Sequence, residues 1–456
     1  MRTQSLEGES PGKVRSDVIA PRVMSPSSPP PRPPFTGRVV AREDALREVV
    51  MVAGRASRVA VDVEASGMFS YRARPCTVQL SWDEGSEVAV VDTLATSMAP
   101  LGELLGPDGP VKIVHDVAFD ARLLAESGIA LANVHDTAVA ARMLSRLATG
   151  LANLLDGELG VQISKTLQQH DWRVRPLDER MLGYLADDVV HLEALEKKLW
   201  AEVGERGIED AVLEETRYRI GTATAATQPS AAVPPYVRVK GAGRLGQREL
   251  AVLRVAAELR EREAERRDVP PHKVASGDAL LAIARTRPRT LDDLARIRGF
   301  SAAAPASRAF AADLLRAIPG AGDAIPADER PFFEPVRMPA AVARLRRQRE
   351  VRLGAWRRIE AKARGVDEQV VLPGHCVRDA VDEGVETLED LARVPGLGEF
   401  RVDRYGEAIL RVLSGEVDLD EPGEADAAPE VAPRETGEAS VTGSVTHAPG
   451  PGGDEA

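Results

Sequence analysis

The spacing of apolar residues between positions 37 and 205 alternates between that of strands and that of amphipathic helices. Short runs rich in β-branched residues predict four strands, at 58–64, 75–82, 87–92 and 112–116. Apolar residues three and four apart predict three helices, at 41–56, 117–128 and 177–203. The first three strands are close together in sequence, which predicts a meander. Elements in this order favour a mixed sheet flanked by helices.

Beyond residue 240 the spacing is helical and the sequence repeats. The stretch "TLDDLARIRGF" at 290–300 is matched by "TLEDLARVPGL" at 387–397, with Thr290 and Thr387 at corresponding positions. A chance match between amphipathic helices is the alternative, and the shared Thr-Leu-x-x-Leu pattern disfavours it. Two similar helical domains are therefore predicted, at 241–320 and 339–415.

Segments of biased composition mark the predicted domain limits. Residues 1–36 are rich in Pro and Ser, and residues 416–456 are acidic with few large apolar side chains. Both segments are expected to be disordered. The stretches 222–240 and 321–338 are expected to be linkers. The α/β domain is then assigned to 37–221.

The net charge of −12 is concentrated at one end of the chain. Residues 416–456 contain eleven acidic residues and one arginine, a charge of −10, which leaves −2 for residues 1–415. The cations of this nearly neutral body are mostly arginine, whose planar guanidinium suits phosphate. The composition permits a nucleic-acid partner without requiring one.

Cysteine content and hydropathy favour a cytoplasmic protein. Cys76 and Cys376 are far apart in sequence and have no metal-binding spacing, so neither a disulfide framework nor a zinc site is expected. No run of about 18 apolar residues is present, and the N-terminus lacks the apolar core of a signal peptide. No contact with a membrane is expected.

The strand predicted at 58–64 contains two acidic residues in an apolar sequence. Asp62 and Glu64 are two residues apart, so their side chains lie on the same face of the strand. On an exposed face they would need no special explanation. If helices cover both faces of the sheet, two buried carboxylates would repel each other and require a cation. Oxygen ligands without His or Cys suit Mg²⁺ or Mn²⁺.

Further acidic residues lie on the helices that follow. Asp116 precedes the helix at 117–128 and is expected to cap it, whereas Asp120 lies about one turn into that helix. Asp178 is the expected N-cap of the last helix of the α/β domain. On that helix Tyr184 and Asp188 are four residues apart and share a face.

This combination of residues resembles a known enzyme superfamily. Asp-x-Glu on an early strand, Asp on a middle helix and Tyr-x-x-x-Asp on a late helix form the pattern of the DEDD exonucleases in their tyrosine variant. The histidine variant needs His at position 183, which is Gly183 here. The segment "LGVQISKTLQQHDWRVRPLDERMLGYLADDVVHL", at 159–192, closely resembles ribonuclease D. The helical repeats resemble HRDC domains, and the likeness extends over 37–415.

The resemblance implies an α/β fold, a ribonuclease H-like exonuclease domain, followed by two all-α HRDC domains. It also implies two divalent metal ions, Mg²⁺ or Mn²⁺, bound by four carboxylates. Asp62 would bridge the two ions. Glu64 and Asp188 would complete one site, and Asp120 would reach the other through water. Tyr184 would orient the attacking water.

The same resemblance suggests which residues contact the substrate. Lys165 and Gln168 would contact substrate phosphate, whereas Trp172 would pack in the interior. His170 stands where the family often has a small residue, a difference that bears on substrate contacts. In the helical domains the basic stretch "ARLRRQREVR" at 343–352 is a candidate for phosphate contacts that do not distinguish bases.

The implied function is a 3′→5′ exoribonuclease that acts on RNA with a free 3′ end, such as tRNA precursors, and releases nucleoside 5′-monophosphates. A monomer without an obligate protein partner is expected. A DNA exonuclease of the same superfamily is one alternative, because no sequence feature identifies a residue that reads a 2′-hydroxyl. A non-catalytic nucleic-acid-binding protein is another, although all four acids and the tyrosine are present. A helicase is excluded, because the chain lacks the G-x-x-x-x-G-K-[ST] phosphate loop.

Overall fold

The computed structural model describes residues 35–225, 227, 233–300, 305–334, 338–382 and 384–416. The segments predicted to be disordered, 1–36 and 416–456, lie outside these ranges except for residues 35, 36 and 416. The described residues form two compact units. The first contains those up to Thr137, Gly150–Lys198 and Ala223–Glu329, and the second contains Ala138–Thr149, Leu199–Thr222 and those from Arg330 onward.

Six strands form a mixed sheet in the first unit. They are β1 (Arg38–Val40), β2 (Arg58–Ala65), β3 (Pro75–Trp82), β4 (Glu87–Asp92), β5 (Val111–Val114) and β6 (Val134–Asp136). Their order in the sheet is β1-β4-β3-β2-β5-β6. Strands β2, β3 and β4 pair antiparallel, which confirms the predicted meander, whereas β1, β5 and β6 join by parallel pairing. Strand β2 is therefore an interior strand with β3 and β5 as neighbours.

The helices between residues 43 and 225 lie partly in the first unit and partly in the second, and those predicted at 41–56 and 117–128 are among them. These helices are α1 (Glu43–Ala53), α2 (Leu101–Leu105), α3 (Ala118–Glu126), α4 (Thr137–Met143), α5 (Leu151–Leu154), α6 (Glu179–Val190), α7 (Leu192–Glu205) and α8 (Glu209–Ala225). In α1 the buried residues are Leu46, Val49, Val50 and Ala53, the i, i+3, i+4, i+7 stripe on which the prediction rests. Within the described ranges no helix is long and apolar enough to cross a membrane.

The prediction of one helix over 177–203 is wrong, because α6 and α7 are separate. His191 lies between them with φ −100° and ψ −6°, and its N–H turns back to the carbonyl of Val189. The apolar spacing continues across this residue, so the sequence pattern does not reveal the break. The predicted N-cap is confirmed, since the Asp178 side chain accepts a hydrogen bond from the N–H of Met181 at 2.8 Å.

The turn between β3 and β4 lies directly against the end of α6. Gly85 in this turn has φ +86°, and a Cβ atom there would overlap the carbonyl oxygen of Val190. Glycine is therefore required both by the backbone conformation and by the close approach. The neighbouring N–H of Glu84 donates to the Glu193 carboxylate at 2.8 Å. These contacts fix the C-terminal end of α6 relative to the sheet.

The helical part of the first unit begins after residue 240. Its helices are α9 (Gln247–Arg267), α10 (Pro271–Val274), α11 (Gly277–Thr286), α12 (Leu291–Ala295) and α13 (Pro305–Ala317). Tyr236, in the short 3₁₀ turn Pro235–Arg238, is fully buried and donates its hydroxyl hydrogen to Glu329 at 2.8 Å. Arg254 of α9 donates to both oxygens of the same carboxylate at 2.9 and 3.0 Å. Parts of both predicted linkers therefore pack against this helical domain.

The second unit contains the second set of helices. They are α14 (Ala340–Arg364), α15 (Glu368–Val371), α16 (Gly374–Asp382), α17 (Leu388–Arg393) and α18 (Glu399–Ser414). The internal repeat is visible in the caps of α12 and α17. Thr290 accepts from the Asp293 N–H at 3.2 Å and donates its own N–H to that carboxylate at 3.0 Å. Thr387 and Asp390 make the same pair of bonds at 3.1 Å each, so both copies begin with the same capping box.

A buried ion pair joins α8 to these helices within the second unit. Arg401 is fully buried, and it donates to the Glu214 carboxylate at 3.1 Å. Its remaining N–H groups bond to the carbonyl oxygens of Val370, Leu397, Ala211 and Gln369. The other oxygen of Glu214 accepts from the Phe400 N–H at 2.9 Å. All five N–H groups of the guanidinium are therefore hydrogen-bonded.

Candidate active site

Strand β2 places Asp62 and Glu64 side by side on one face, while the valines that alternate with them are buried. Asp62 is opposite Gln79 of β3 in the antiparallel register. With its amide nitrogen facing Asp62, Gln79 donates to the carbonyl oxygen of Asp62 at 2.7 Å and to its Oδ2 at 3.2 Å. Its amide oxygen then accepts from the Thr77 hydroxyl at 2.6 Å. The Asp62 carboxylate is thus held by a buried neighbour.

Helix α6 brings Tyr184 and Asp188 to the same place. Tyr184 is 7% exposed, and its ring centroid lies 5.6 Å from that of Trp172. Carboxylate oxygens of Asp62, Glu64 and Asp188 lie within 4.8 Å of one another. We call these three residues the acidic cluster. It joins side chains from an interior strand and a helix that are more than a hundred residues apart in sequence.

Asp120 lies in the first turn of α3 and is 5% exposed. Its carboxylate is not among the three whose oxygens lie within 4.8 Å of one another. Charges on Asp62 and Glu64 nevertheless act on it strongly enough to affect its pKa. Asp120 is therefore close to the acidic cluster without being part of it.

The prediction that Asp116 caps α3 is wrong. Asp136, which is fully buried at the end of β6, accepts hydrogen bonds from the N–H groups of Asp116 and Val117, each at 3.0 Å. Asp116 itself has φ +64°, whereas an N-cap residue has an extended backbone. Asp136 therefore fixes the beginning of the helix that contains Asp120.

Burial raises the pKa values of the acids at this site. The pKa of Asp62 rises to about 6 because burial disfavours its charged form. The pKa of Glu64 rises to about 9 through burial first and then through the charges of Asp62 and Asp188. Burial also raises the pKa of Asp120 well above its ordinary value, and the nearby carboxylates add to the shift. The cluster is thus destabilised when all its carboxylates are ionised without a cation.

The donor set fits a divalent metal ion. No Lys, Arg or His of the described residues forms an ion pair with Asp62, Glu64 or Asp120. The charges that shift the pKa values of Glu64 and Asp120 are all negative. Carboxylate oxygens without nitrogen or sulfur ligands suit Mg²⁺ or Mn²⁺. Such an ion would remove the repulsion that raises these pKa values.

The loop before α6 combines buried anchors with exposed polar residues. Trp172 is 1% exposed, which confirms its predicted packing in the interior. Arg175 donates to both oxygens of Asp92 at 2.7 and 2.8 Å, and this bidentate pair attaches the loop to the end of β4. Lys165 and Gln168 are exposed on the same loop. Their contact with substrate phosphate stays a prediction.

Two family models match the chain. A 3′-5′ exonuclease model matches residues 38–204, which include the six strands and α1 to α6. An HRDC domain model matches residues 249–318 and 347–413, which are the two helical repeats.

Curated relatives extend the likeness over most of the chain. Ribonuclease D of Granulibacter bethesdensis is 30% identical over 397 residues, which cover 84% of this chain and 93% of that protein. Ribonuclease D of Gluconacetobacter diazotrophicus is 33% identical over 267 residues, which cover 58% of this chain and 66% of that protein.

Solved structures show the same fold. Escherichia coli RNase D, described as an exoribonuclease involved in structured RNA processing, matches with a TM-score of 0.62 and 22% identity over 83% of this chain and 99% of that chain. A protein from Bifidobacterium adolescentis matches with a TM-score of 0.66 and 22% identity over 83% and 97% of the two chains. Because the family models, the relatives and the acidic site agree, the chain belongs to the ribonuclease D family and is a metal-dependent 3′→5′ exoribonuclease.

Proposed function

We propose that the acidic cluster and Asp120 bind two divalent metal ions, Mg²⁺ or Mn²⁺, at which the 3′ ends of RNA are hydrolysed. The observation that carries this proposal is the approach of three carboxylates to within 4.8 Å in a partly buried setting. In this assignment Asp62 would serve both ions. Glu64 and Asp188 would complete one site, and Asp120 would serve the other.

The protein's own groups position the reactants. Two bound ions would supply a nucleophilic water near neutral pH and stabilise the leaving 3′-oxygen. Tyr184 orients the attacking water with its hydroxyl, and its ring is held by packing against Trp172. Gln79 fixes Asp62, and Asp136 fixes the helix turn that contains Asp120. The product is a nucleoside 5′-monophosphate.

We assign structured RNAs with a free 3′ end, such as tRNA precursors, as the substrates and a monomer as the active form. The description of Escherichia coli RNase D as an enzyme of structured RNA processing supports this choice of substrate. Exposed Lys165 and Gln168 are the assigned contacts to the phosphate near the scissile bond.

A 3′-end trimming assay tests the proposal. Purified protein is incubated with single-stranded RNA and with DNA of matched sequence, in Mg²⁺ or in EDTA, beside an Asp62→Asn variant. We expect stepwise shortening of RNA that is lost in EDTA and in the variant. DNA shortened equally well would indicate a general exonuclease. Intact binding without shortening of either strand would reduce the protein to a nucleic-acid-binding role.

A further inference from the structure

The loop between β2 and β3 is held in one conformation by its own hydrogen bonds. It covers residues 66–74 and begins two residues after Glu64. The N–H of Ser66 donates to the carbonyl of Arg74 at 3.0 Å, and the N–H of Phe69 turns back to Ser66 at 2.8 Å. Ser66 and Ser70 are buried, and their hydroxyl groups are 2.6 Å apart. The side chains at the tip of the loop are therefore presented in a defined direction.

This loop forms one wall with the first helical domain, which belongs to the same compact unit. The N–H of Tyr71 donates to Asp268 at the end of α9, at 3.0 Å. Arg72 lies 3.5 Å from the Glu265 carboxylate. The Lys273 ammonium lies 4.9 Å from the centre of the Phe69 ring, a cation–π contact. Strand β2, which carries Asp62 and Glu64, is thereby connected to α9 and α10 through one short loop.

A cavity of about 480 Å³ opens beside this wall. Its charged lining consists of Arg72, Arg238, Lys240 and Arg260 with a single carboxylate, Glu261. Tyr71 adds an aromatic side chain to the lining. The size is within the range of ordinary ligand pockets, and the excess of cations favours an anion. We call this feature the basic pocket.

Two cations of the basic pocket, Arg238 and Lys240, have no ion-pair partner within the described residues. Both side chains are exposed. Val239 between them is 6% exposed, so the backbone that presents them is anchored. Arg260 in contrast donates to the Glu261 carboxylate at 2.7 Å. The N–H groups of Arg238 and Lys240 are therefore the donors that are free for a phosphate.

We propose that the basic pocket binds a phosphodiester segment of the RNA substrate, upstream of the 3′-terminal nucleotides that occupy the acidic cluster. This inference rests on the proposed function and names where the substrate strand runs. Arginine and lysine hold the phosphates, and the Tyr71 ring offers a base a stacking surface. The strand follows the loop at 66–74 from the acidic cluster to the first HRDC domain. Phosphate contacts of this kind are independent of base sequence.

The decisive experiment uses the full-length chain with an Arg238→Gln/Lys240→Gln variant. Its matched control is Arg285→Gln/Arg298→Gln, which removes two exposed arginines of the same helical domain that do not line the basic pocket. KM and kcat are measured on RNAs of increasing length, starting from a dinucleotide. Loss of two charge-assisted bonds should raise KM for long RNA by at least roughly tenfold. The dinucleotide should be cleaved with unchanged kcat and KM.

The salt dependence adds a second readout that misfolding would not reproduce. The slope of log Kobs against log[salt] for single-stranded RNA should fall by about 0.7 for each phosphate that the variant no longer neutralises. Tyr71→Ala should weaken binding of long RNA, and Tyr71→Phe should restore it because the ring is retained. Unchanged KM on long RNA, or an equal loss in the control variant, would overturn the proposal. Equal loss on the dinucleotide would overturn it as well.

Binding in EDTA separates this inference from the catalytic proposal. Labelled RNA bound by the full-length protein, and bound more weakly by the Arg238→Gln/Lys240→Gln variant, supports the basic pocket even if the protein trims nothing. A protein that trims RNA with the same affinity in all variants supports the acidic cluster and overturns the basic pocket. Competition by inorganic phosphate as strong as that by RNA of equal phosphate concentration would also overturn a strand-binding role.

Discussion

The Arg401–Glu214 pair and the acidic cluster treat carboxylate charge in opposite ways. In the second unit Glu214 accepts hydrogen bonds from Arg401 and from the Phe400 N–H, so both of its oxygens have partners. In the first unit Asp62 and Glu64 have only other acids as their charged neighbours, and the pKa of Glu64 rises to about 9. The charge of Glu214 is therefore neutralised by the protein's own groups, whereas the charges of Asp62 and Glu64 are not.

The comparison distinguishes a charge that stabilises the fold, that of Glu214, from charges that serve the active site, those of Asp62 and Glu64. A buried ion pair with every donor used holds two segments together and needs nothing from solution. Two partly buried carboxylates that no cation of the described residues neutralises, Asp62 and Glu64, are unfavourable until a metal ion binds, so the stability of this part of the site depends on its ligand. Substitutions should therefore have different consequences at the two places.

The largest expected effect is on activity at the acidic cluster. Asp188→Asn removes one ligand and should lower the trimming rate by roughly 10³-fold, because a catalytic metal contributes several kcal/mol to transition-state stabilisation. Asp187→Asn is the matched control, since Asp187 is the next residue of α6 and lies outside the acidic cluster. Single-turnover kinetics on RNA provides the measurement. Equal losses in both variants would contradict the assignment.

The next effect is on stability at the complete ion pair. Arg401→Met leaves Glu214 buried without its cation and should lower the free energy of unfolding of the second unit by about 3–5 kcal/mol. The double variant Arg401→Met/Glu214→Leu removes both charges and should recover most of that loss. Urea titration followed by limited proteolysis, with cleavage sites mapped to α14–α18, measures it. A double variant as unstable as the single one would contradict this account.

A smaller effect is expected where the backbone positions an acid. Asp136→Asn exchanges one hydrogen-bond acceptor for a donor beneath α3, which should cost about 1–3 kcal/mol of folding free energy. Displacement of Asp120 should lower kcat by roughly ten- to a hundredfold with little change in KM. Asp116→Asn removes a similar nearby charge but keeps the backbone bonds, so it should retain most of kcat. Similar kcat values for the two variants would argue against a positioning role.

The smallest effect is a dependence of thermal stability on pH and metal. The folded pKa values of Asp62 and Glu64, about 6 and about 9, lie above their unfolded values. The metal-free fold therefore gains stability as pH falls through this range. Metal ions compete with those protons, so Mg²⁺ should raise Tm more at pH 8 than at pH 6, by about 2–4 °C per kcal/mol of binding free energy. A Glu64→Gln variant with the same metal-induced shift would contradict this prediction.

Residue spacing predicted the parts of the site that depend on one element. Alternation placed Asp62 and Glu64 on one face of β2, and the four-residue interval placed Tyr184 and Asp188 on one face of α6. The repeat at Thr290 and Thr387 appears as two equal capping boxes. These features are local, so periodicity and capping chemistry suffice to predict them.

Features that depend on neighbours distant in sequence were missed. Asp136 reaches the start of α3 across 20 residues, and Arg175 reaches Asp92 across 83. Such partners follow from the strand order, which periodicity does not determine. The break at His191 was missed because a backbone turn leaves the apolar spacing intact. A polar pair at the end of a short apolar strand, Asp136 and Thr137, is the local signal by which this cap could have been found.

The order of the acidic residues along the chain has a consequence for the cell that makes this protein. The ribosome adds Asp62 and Glu64 early, Asp120 later and Asp188 last, and α6 has to dock on the sheet before the acidic cluster exists. Domains fold as units during synthesis. A nascent chain that ends before α6 therefore lacks Asp188 and the acidic cluster. We expect such a chain to be unable to trim RNA until the whole exonuclease domain has been synthesised.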